Sequence, residues 1–259
     1  MGRSKVGVVL SDIHCPFQDK GVLKLAINFI RDNHPDTVHL LGDIVDFYSV
    51  SRFLKDPTRK LELQEELDDA ADVLGEIREA AFRSKIIFSE GNHEYRLRKY
   101  LSSEARALAS LRALDLGELL GADRHKMAMR QYDQPYRVGS LLLTHGDYAR
   151  KWSAYSARAH FERYGCCVLH GHTHRLGSFY HRTVGDTYAA WENGCLCDLN
   201  PDYTTVPDWQ HGWSVLWSNK DYFHVDQIAV VKGRYMYHGK AYGRRRLSPT
   251  AHFEIEDLG

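Results

Sequence analysis

Apolar residues in this chain come in short runs that each stop at a polar loop: Val6 to Leu10, Thr37 to Leu41, Lys85 to Ser89, Leu141 to Leu143 and Val168 to Leu169. Runs this short, bounded by turn chemistry, read as buried strands. Between them the period changes. Lys20 to Arg31 places Leu23, Ile27 and Ile30 on one face, and Leu63, Leu67, Ala70, Leu74 and Ile77 recur at three- and four-residue steps. That is the spacing of amphipathic helices. Composition adds a helix from about Ser153 to Tyr164. Strand and helix in alternation predict parallel strands with crossover helices, an α/β fold.

The rhythm breaks twice. Tyr95 to Asp133 is helical in composition, with Leu97, Leu101, Leu108, Leu111, Leu114 and Leu119, and is rich in Arg. From Gly177 onward β character dominates: Phe179 to Val184, Thr187 to Trp191, Trp213 to Trp217 and Phe223 to Val231, with Lys232-Gly233 as a hairpin turn candidate. No repeat, linker or low-complexity stretch divides the chain. The expectation is a single domain over residues 1–259, with a helical insertion at about 95–133 and a β-rich part from about 177.

Polar blocks at the strand ends carry the chemistry. They are Asp12-Ile13-His14, Gly42-Asp43-Ile44-Val45-Asp46, Gly91-Asn92-His93-Glu94, Thr144-His145-Gly146 and Gly171-His172-Thr173-His174. Ligands of open α/β sheets gather beyond the carboxyl ends of strands, where all of these blocks fall. Two carboxylates, an amide and four imidazoles suffice to hold two divalent cations, and such a pair about 3.5–4 Å apart is a clamp for phosphoryl chemistry. The mixed nitrogen and oxygen set suits Mn²⁺ first, with Fe, Zn²⁺ or Ni²⁺ as alternatives.

In this order the blocks resemble the calcineurin-like metallophosphoesterase superfamily, whose pattern runs D-x-H, G-D-x-x-D, G-N-H-E/D, a His before Gly, then G-H-x-H. In character the chain is similar to small bacterial or phage-borne phosphoesterases. The resemblance spans Asp12 to His174 and implies a two-sheet β-sandwich flanked by helices in four layers, α/β/β/α, with the late strands in the second sheet. It also implies roles. Asp12, His14, Asp43 and His174 would surround one metal, and Asp43 would bridge to a second completed by Asn92, His145 and His172. His93 would be the general acid that protonates the leaving alkoxide, oriented by Asp46, while metal-activated water attacks phosphorus. One departure matters. Where the phosphomonoesterase branch has Arg after the second block, this chain has Phe47. A guanidinium fork matches a dianionic monoester. Arg96 or Arg175 would have to meet the phosphate from another loop.

Composition narrows the rest. Lys plus Arg and Asp plus Glu both number 34, so no net charge draws the molecule to duplex nucleic acid or a membrane surface. No run approaches the roughly 20 apolar residues of a membrane span. Val6 to Leu10 is too short for a secretory core. A cytoplasmic protein is expected, with no membrane partner, and its oligomeric state is unreadable. The cysteines Cys15, Cys166, Cys167, Cys195 and Cys197 form no regular framework, which suggests reduced thiols. A Cys₄ zinc from Cys166, Cys167, Cys195 and Cys197 is weighed against buried thiols, and the thiols are preferred. Arg244-Arg245-Arg246 invites a nucleic-acid reading but is read as a solvated basic run. Aromatics between Trp191 and Trp217 could stack bases, with sheet packing as the default.

Three functions remain. A phosphodiesterase acting on a nucleotide or nucleic acid, a nuclease among the options, leads because of Phe47 and the Arg-bearing segment. A phosphomonoesterase on a protein or metabolite follows. A non-catalytic metal-binding scaffold comes last, since no ligand block is missing.

Overall fold

A computed structural model describes residues 4–52, 62–201, 207–220 and 222–243. The Arg244–Arg246 run and His252 lie outside the described residues. Strands are β1 (Lys5–Leu10), β2 (Thr37–Leu40), β3 (Lys85–Ser89), β4 (Met127–Arg130), β5 (Tyr136–Val138), β6 (Leu141–Thr144), β7 (Val168–His170), β8 (Leu176–Arg182), β9 (Thr187–Asn193), β10 (Gly212–Ser218), β11 (Phe223–Ala229), β12 (Arg234–Tyr237) and β13 (Lys240–Gly243). Helices are α1 (Lys20–Asn33), α2 (Leu63–Ala80), α3 (Glu94–Ser103), α4 (Leu116–Leu119) and α5 (Tyr155–Tyr164).

One sheet runs β11-β10-β1-β2-β3-β4 and a second runs β5-β6-β7-β9-β8. Strand alternation builds the layers. In β1, Val8 and Leu10 point into a core shared with Val22, Ala26 and Ile30 of α1 and with Leu74 and Ile77 of α2. Val9, between them, points the other way and packs with Leu141, Leu143, Leu169 and Trp191 of the second sheet. Leu142, Val168 and Ala190 face outward to Ala157 of α5. The period-two switch of side chains thus serves three cores, and the order of layers is helix, sheet, sheet, helix. The four-layer α/β/β/α sandwich is present.

Several expectations are corrected. The late strands do not all enter the second sheet. β10 lies antiparallel to β1 and carries β11 with it into the first. Trp213 and Val215 pack on the α1 side and Leu216 between the sheets, so β10 is buried on both faces. An apolar run reports burial, while the partner strand is a long-range choice it does not encode. The Tyr95–Asp133 segment is not all helix. Past Ser103 it breaks into single turns at Arg106–Leu108 and Arg112–Leu114 and the four-residue α4, then ends in β4, which pairs parallel with β3. Gly121 and Lys126, both at positive φ, interrupt any longer helix. Lys232 and Gly233 do make a tight turn, both at positive φ, closed by a Val231–Arg234 bridge. The longer hairpin is β12–β13, and its Tyr235 and Tyr237 pack on Phe29 of α1.

Candidate metal centre and active site

The blocks converge because their strands run in the same direction. β1, β2 and β3 are mutually parallel, as are β6 and β7, so every block leaves the carboxyl end of its strand. Buried carboxylates then fasten the loops. Glu94 accepts the backbone N–H of Asp43, Ile44, Val45 and Gly91 at 2.7–3.0 Å. Glu192 takes those of Ser156 and Ala157, and the Thr173 hydroxyl at 3.0 Å. Sequence reasoning gave neither glutamate a role, although Glu94 sits inside the third block.

The backbone is held in a rare conformation here. Asp12, His14, Asp43, His172 and His174 all have φ between 52° and 71°. Side chains other than glycine seldom occupy this region, and such residues cluster at functional sites. Gly91 is required at its place for a different reason. A β-carbon there would run into the Asp43 carboxylate.

All residues expected to hold metal come together around Asp43. Its Oδ1 accepts the His93 backbone N–H at 2.9 Å, which turns Oδ2 toward His145 Nε2 at 3.2 Å and His14 Nε2 at 3.7 Å. Asp12 accepts the His172 backbone N–H and has His174 Nε2 at 3.3 Å. Asn92 Oδ1 lies 2.9 Å from His145 Nε2 and 2.7 Å from His172 Nδ1. The outer nitrogens are anchored elsewhere. His145 donates from Nδ1 to the Leu41 carbonyl at 2.7 Å, His14 Nδ1 meets Asp46 at 2.9 Å, and His174 Nδ1 faces Cys197 Sγ at 3.8 Å. Fixing one ring nitrogen presents the other to a metal.

Two imidazole nitrogens, His14 Nε2 and His174 Nε2, point at each other 3.0 Å apart beside a carboxylate. A cation among these donors accounts for that arrangement better than packing does. Asp12, His14, Asp43 and His174 form one donor group, and Asp43, His145 and His172 a second. The residues fit a pair of divalent ions sharing Asp43.

Mutual charge tunes the groups. Burial opposes protonation of His145, but Asp43 outweighs it and raises this imidazole to about 9. His174 rises to about 10 against its burial, through Cys197 and Asp12. Burial and the neighbouring His145 push His172 down to about 4. Burial would raise the Asp43 carboxyl, yet His145 and His93 hold it well below the usual range.

His93 stands beside this cluster. Its Nδ1 meets the Asp46 carbonyl at 2.8 Å and the Asp46 carboxylate at 3.1 Å, and its Nε2 is 3.7 Å from Asp43 Oδ2. Despite burial, Asp43 and Asp46 raise its pKa. Asp46 does not serve His93 alone, since the same Oδ1 is 2.9 Å from His14 Nδ1. Arg96 does not line the cleft among the described residues but braces it from behind, giving one N–H to the Asp46 carbonyl at 3.0 Å and another to His93 Nε2 at 2.8 Å. Arg175 lines the cleft but is only 7% exposed. Its guanidinium donates to the carbonyls of Lys151 and Arg150 and faces Glu192 and Asp208, so it braces the loop. Phe47 is fully buried in the α1–α2 core.

The zinc alternative dissolves. Cys195 and Cys197 group with His174, whereas Cys167 accepts the Ala189 N–H on the second sheet. Among the described residues no cluster unites the four thiols. The signal that Cys197 backs a ligand was absent from local spacing, because His174 lies on another loop.

A sandwich of this kind, with oxygen and imidazole donors at its strand ends, is a metal-dependent phosphoesterase. The calcineurin-like phosphoesterase family model matches residues 8–176, and the chain belongs to that family. It is 29% identical over 252 residues to the gene 54 protein of Mycobacterium phage D29, covering 91% of this chain and 98% of that one. It is 27% identical to the gene 54 protein of Mycobacterium phage L5, covering 92% and 99%. Vacuolar Protein Sorting 29 from Cryptosporidium parvum has a similar fold, with a TM-score of 0.50 at 13% identity, covering 94% of this chain and 100% of that one. Among the described residues no helix is long and apolar enough to cross a membrane.

Proposed function

We propose that this chain hydrolyses a phosphodiester of a nucleotide or nucleic acid. Two bound divalent ions, Mn²⁺ first, would supply a water nucleophile at neutral pH and charge neutralisation for the phosphate. Asp12, His14, Asp43 and His174 would hold one and Asp43, Asn92, His145 and His172 the other. The observation that carries this reading is the convergence of anchored imidazoles on Asp43 Oδ2. His93 would give a proton from Nε2 to a departing alkoxide once the Arg96 guanidinium, which donates to that nitrogen here, turns from it to the phosphate. A carboxylate partner keeps such an imidazole oriented and protonated near neutral pH.

The diester preference is supported by Phe47. A buried phenyl ring stands directly after Asp46, so that position offers no guanidinium of the kind a dianionic monoester favours. Arg96 favours the second reading, a phosphomonoesterase, because its guanidinium contacts His93, which lines the cleft. One Mn²⁺-loaded preparation separates the two. The diester reading expects bis-p-nitrophenyl phosphate to be cleaved with higher kcat/KM than p-nitrophenyl phosphate, and a preference for the monoester would overturn it.

A further inference from the structure

We infer that an aromatic slot beside the cleft binds one planar ring of the substrate, a nucleobase, and that Trp209 determines this selectivity. The inference rests on the phosphoesterase reading above. Two cavities meet at the site. The cleft over Asp43 and Asn92 has a volume of about 460 Å³. Next to it lies a slot of about 110 Å³ bordered by Phe17, Tyr48 and Trp209. His14, His174 and Trp209 belong to both, so whatever fills the slot is a near neighbour of the reacting phosphate.

The size and chemistry of the slot favour a neutral ring. Its volume is of the order of a cavity that admits benzene, about 150 Å³. Among the described residues its lining includes no lysine or arginine, and Asp46 and Asp198 border it, so a second phosphate would be repelled there. Trp209 stands edge-on to His174 at 4.2 Å, and Phe17 edge-on to Tyr48 at 6.1 Å. The exposed amide of Asn200 at the border offers a donor and an acceptor to a ring edge. Aromatic faces with an adaptable amide are how unpaired bases are held.

The walls are built in advance. Gln210, next to Trp209, donates its backbone N–H to the His174 carbonyl at 2.8 Å and accepts the Leu176 N–H on its side chain at 3.1 Å. Glu66 accepts the backbone N–H of Tyr48 and Ser49, both at 2.8 Å. The Phe17 carbonyl receives the Asp198 N–H at 2.8 Å. Little ordering is then left for binding to supply.

Two esters with the same leaving group read the slot: thymidine 5′-(p-nitrophenyl phosphate) and methyl p-nitrophenyl phosphate. In the Mn²⁺-loaded protein the thymidine ester is expected to have about 10-fold or higher kcat/KM, mainly through KM, as stacking on one aromatic side chain implies. Trp209→Ala should bring the ratio of the two kcat/KM values down by about 10-fold, and Trp209→Phe should restore part of it. Metal content of each variant checks that His174 keeps its place. A wild-type ratio near one, or a Trp209→Ala ratio unchanged with metals retained, would overturn the inference. Calorimetry of the same proteins with thymidine 5′-monophosphate and inorganic phosphate tests the slot even if neither ester is cleaved. Tighter nucleotide binding that is lost in Trp209→Ala supports the slot while the hydrolase reading fails. Equal binding of the two sinks the slot alone.

Discussion

Two regions of the molecule, the metal-holding loops and the segment that follows α3, are built in opposite ways. The metal-holding loops are buried, strained and clamped. Glu94 accepts four backbone N–H groups and so helps tie the Asp43 loop to the Gly91 loop. From Glu104 to Leu114 the chain instead forms single turns, with Leu108 and Leu111 47% and 51% exposed. Catalysis needs reacting groups held within a fraction of an ångström, and the structure concentrates its rigid contacts where that is needed.

The most damaging change should be one that pushes the clamped loops apart. Gly91→Ala sets a methyl against the Asp43 carboxylate. We expect loss of both metals and a fall in activity of about 10³-fold or more, because displacements near 1 Å already cost about 10²-fold. Metal analysis of the purified variant checks it. Two full equivalents in Gly91→Ala would show that the loops tolerate separation.

His93→Asn should keep both metals, retain part of the nitrophenyl esterase activity and lose hydrolysis of an alkyl diester by about 10²–10⁴-fold. A nitrophenolate leaves without much proton transfer, whereas an alkoxide does not. Asp46→Asn should show a weaker form of that pattern and, unlike His93→Asn, also lower occupancy of the first metal, since Asp46 holds His14 as well. Equal slowing of both ester types in His93→Asn would reassign this histidine to substrate binding.

These contrasts match what the sequence could and could not reveal. The strands and the ligand blocks were legible because local burial and polar residues at strand ends are written in consecutive positions. β3 matches its expected bounds, Lys85 to Ser89. The sheet joined by β10, the sharing of Asp46 between His14 and His93, and the backing of His174 by Cys197 join residues distant along the chain, and no spacing rule carries them. Met127 to Arg130 was missed because leucine-rich composition upstream suggested a helix, while four residues of alternation are too short to outweigh it.

Cys197→Val sharpens the comparison from the metal side. Removing the sulfur that faces His174 Nδ1 should weaken the first metal position by about 10–100-fold, read by competition with a metal indicator. Cys166→Ser, in the turn between α5 and β7, should leave affinity unaltered. If Cys197→Val binds both ions like the wild type, the thiol is packing alone.

The smallest effect is expected from the outer segment. Replacing Arg106 and Arg112 together by Gln should raise KM for an oligonucleotide by about 2–5-fold and spare bis-p-nitrophenyl phosphate, which is too small to touch remote contacts. Equal losses on both would mean that these turns support the cradle after all.

The central claim is that Asp43 joins two cations. Electron paramagnetic resonance during Mn²⁺ titration of protein freed of metal by chelation tests it most directly. The account predicts an exchange-coupled Mn²⁺ pair as the second equivalent binds, rising together with diesterase activity, and its replacement by isolated Mn²⁺ in Asp43→Asn. Saturation at one equivalent, or a coupled signal that persists in Asp43→Asn, would contradict it.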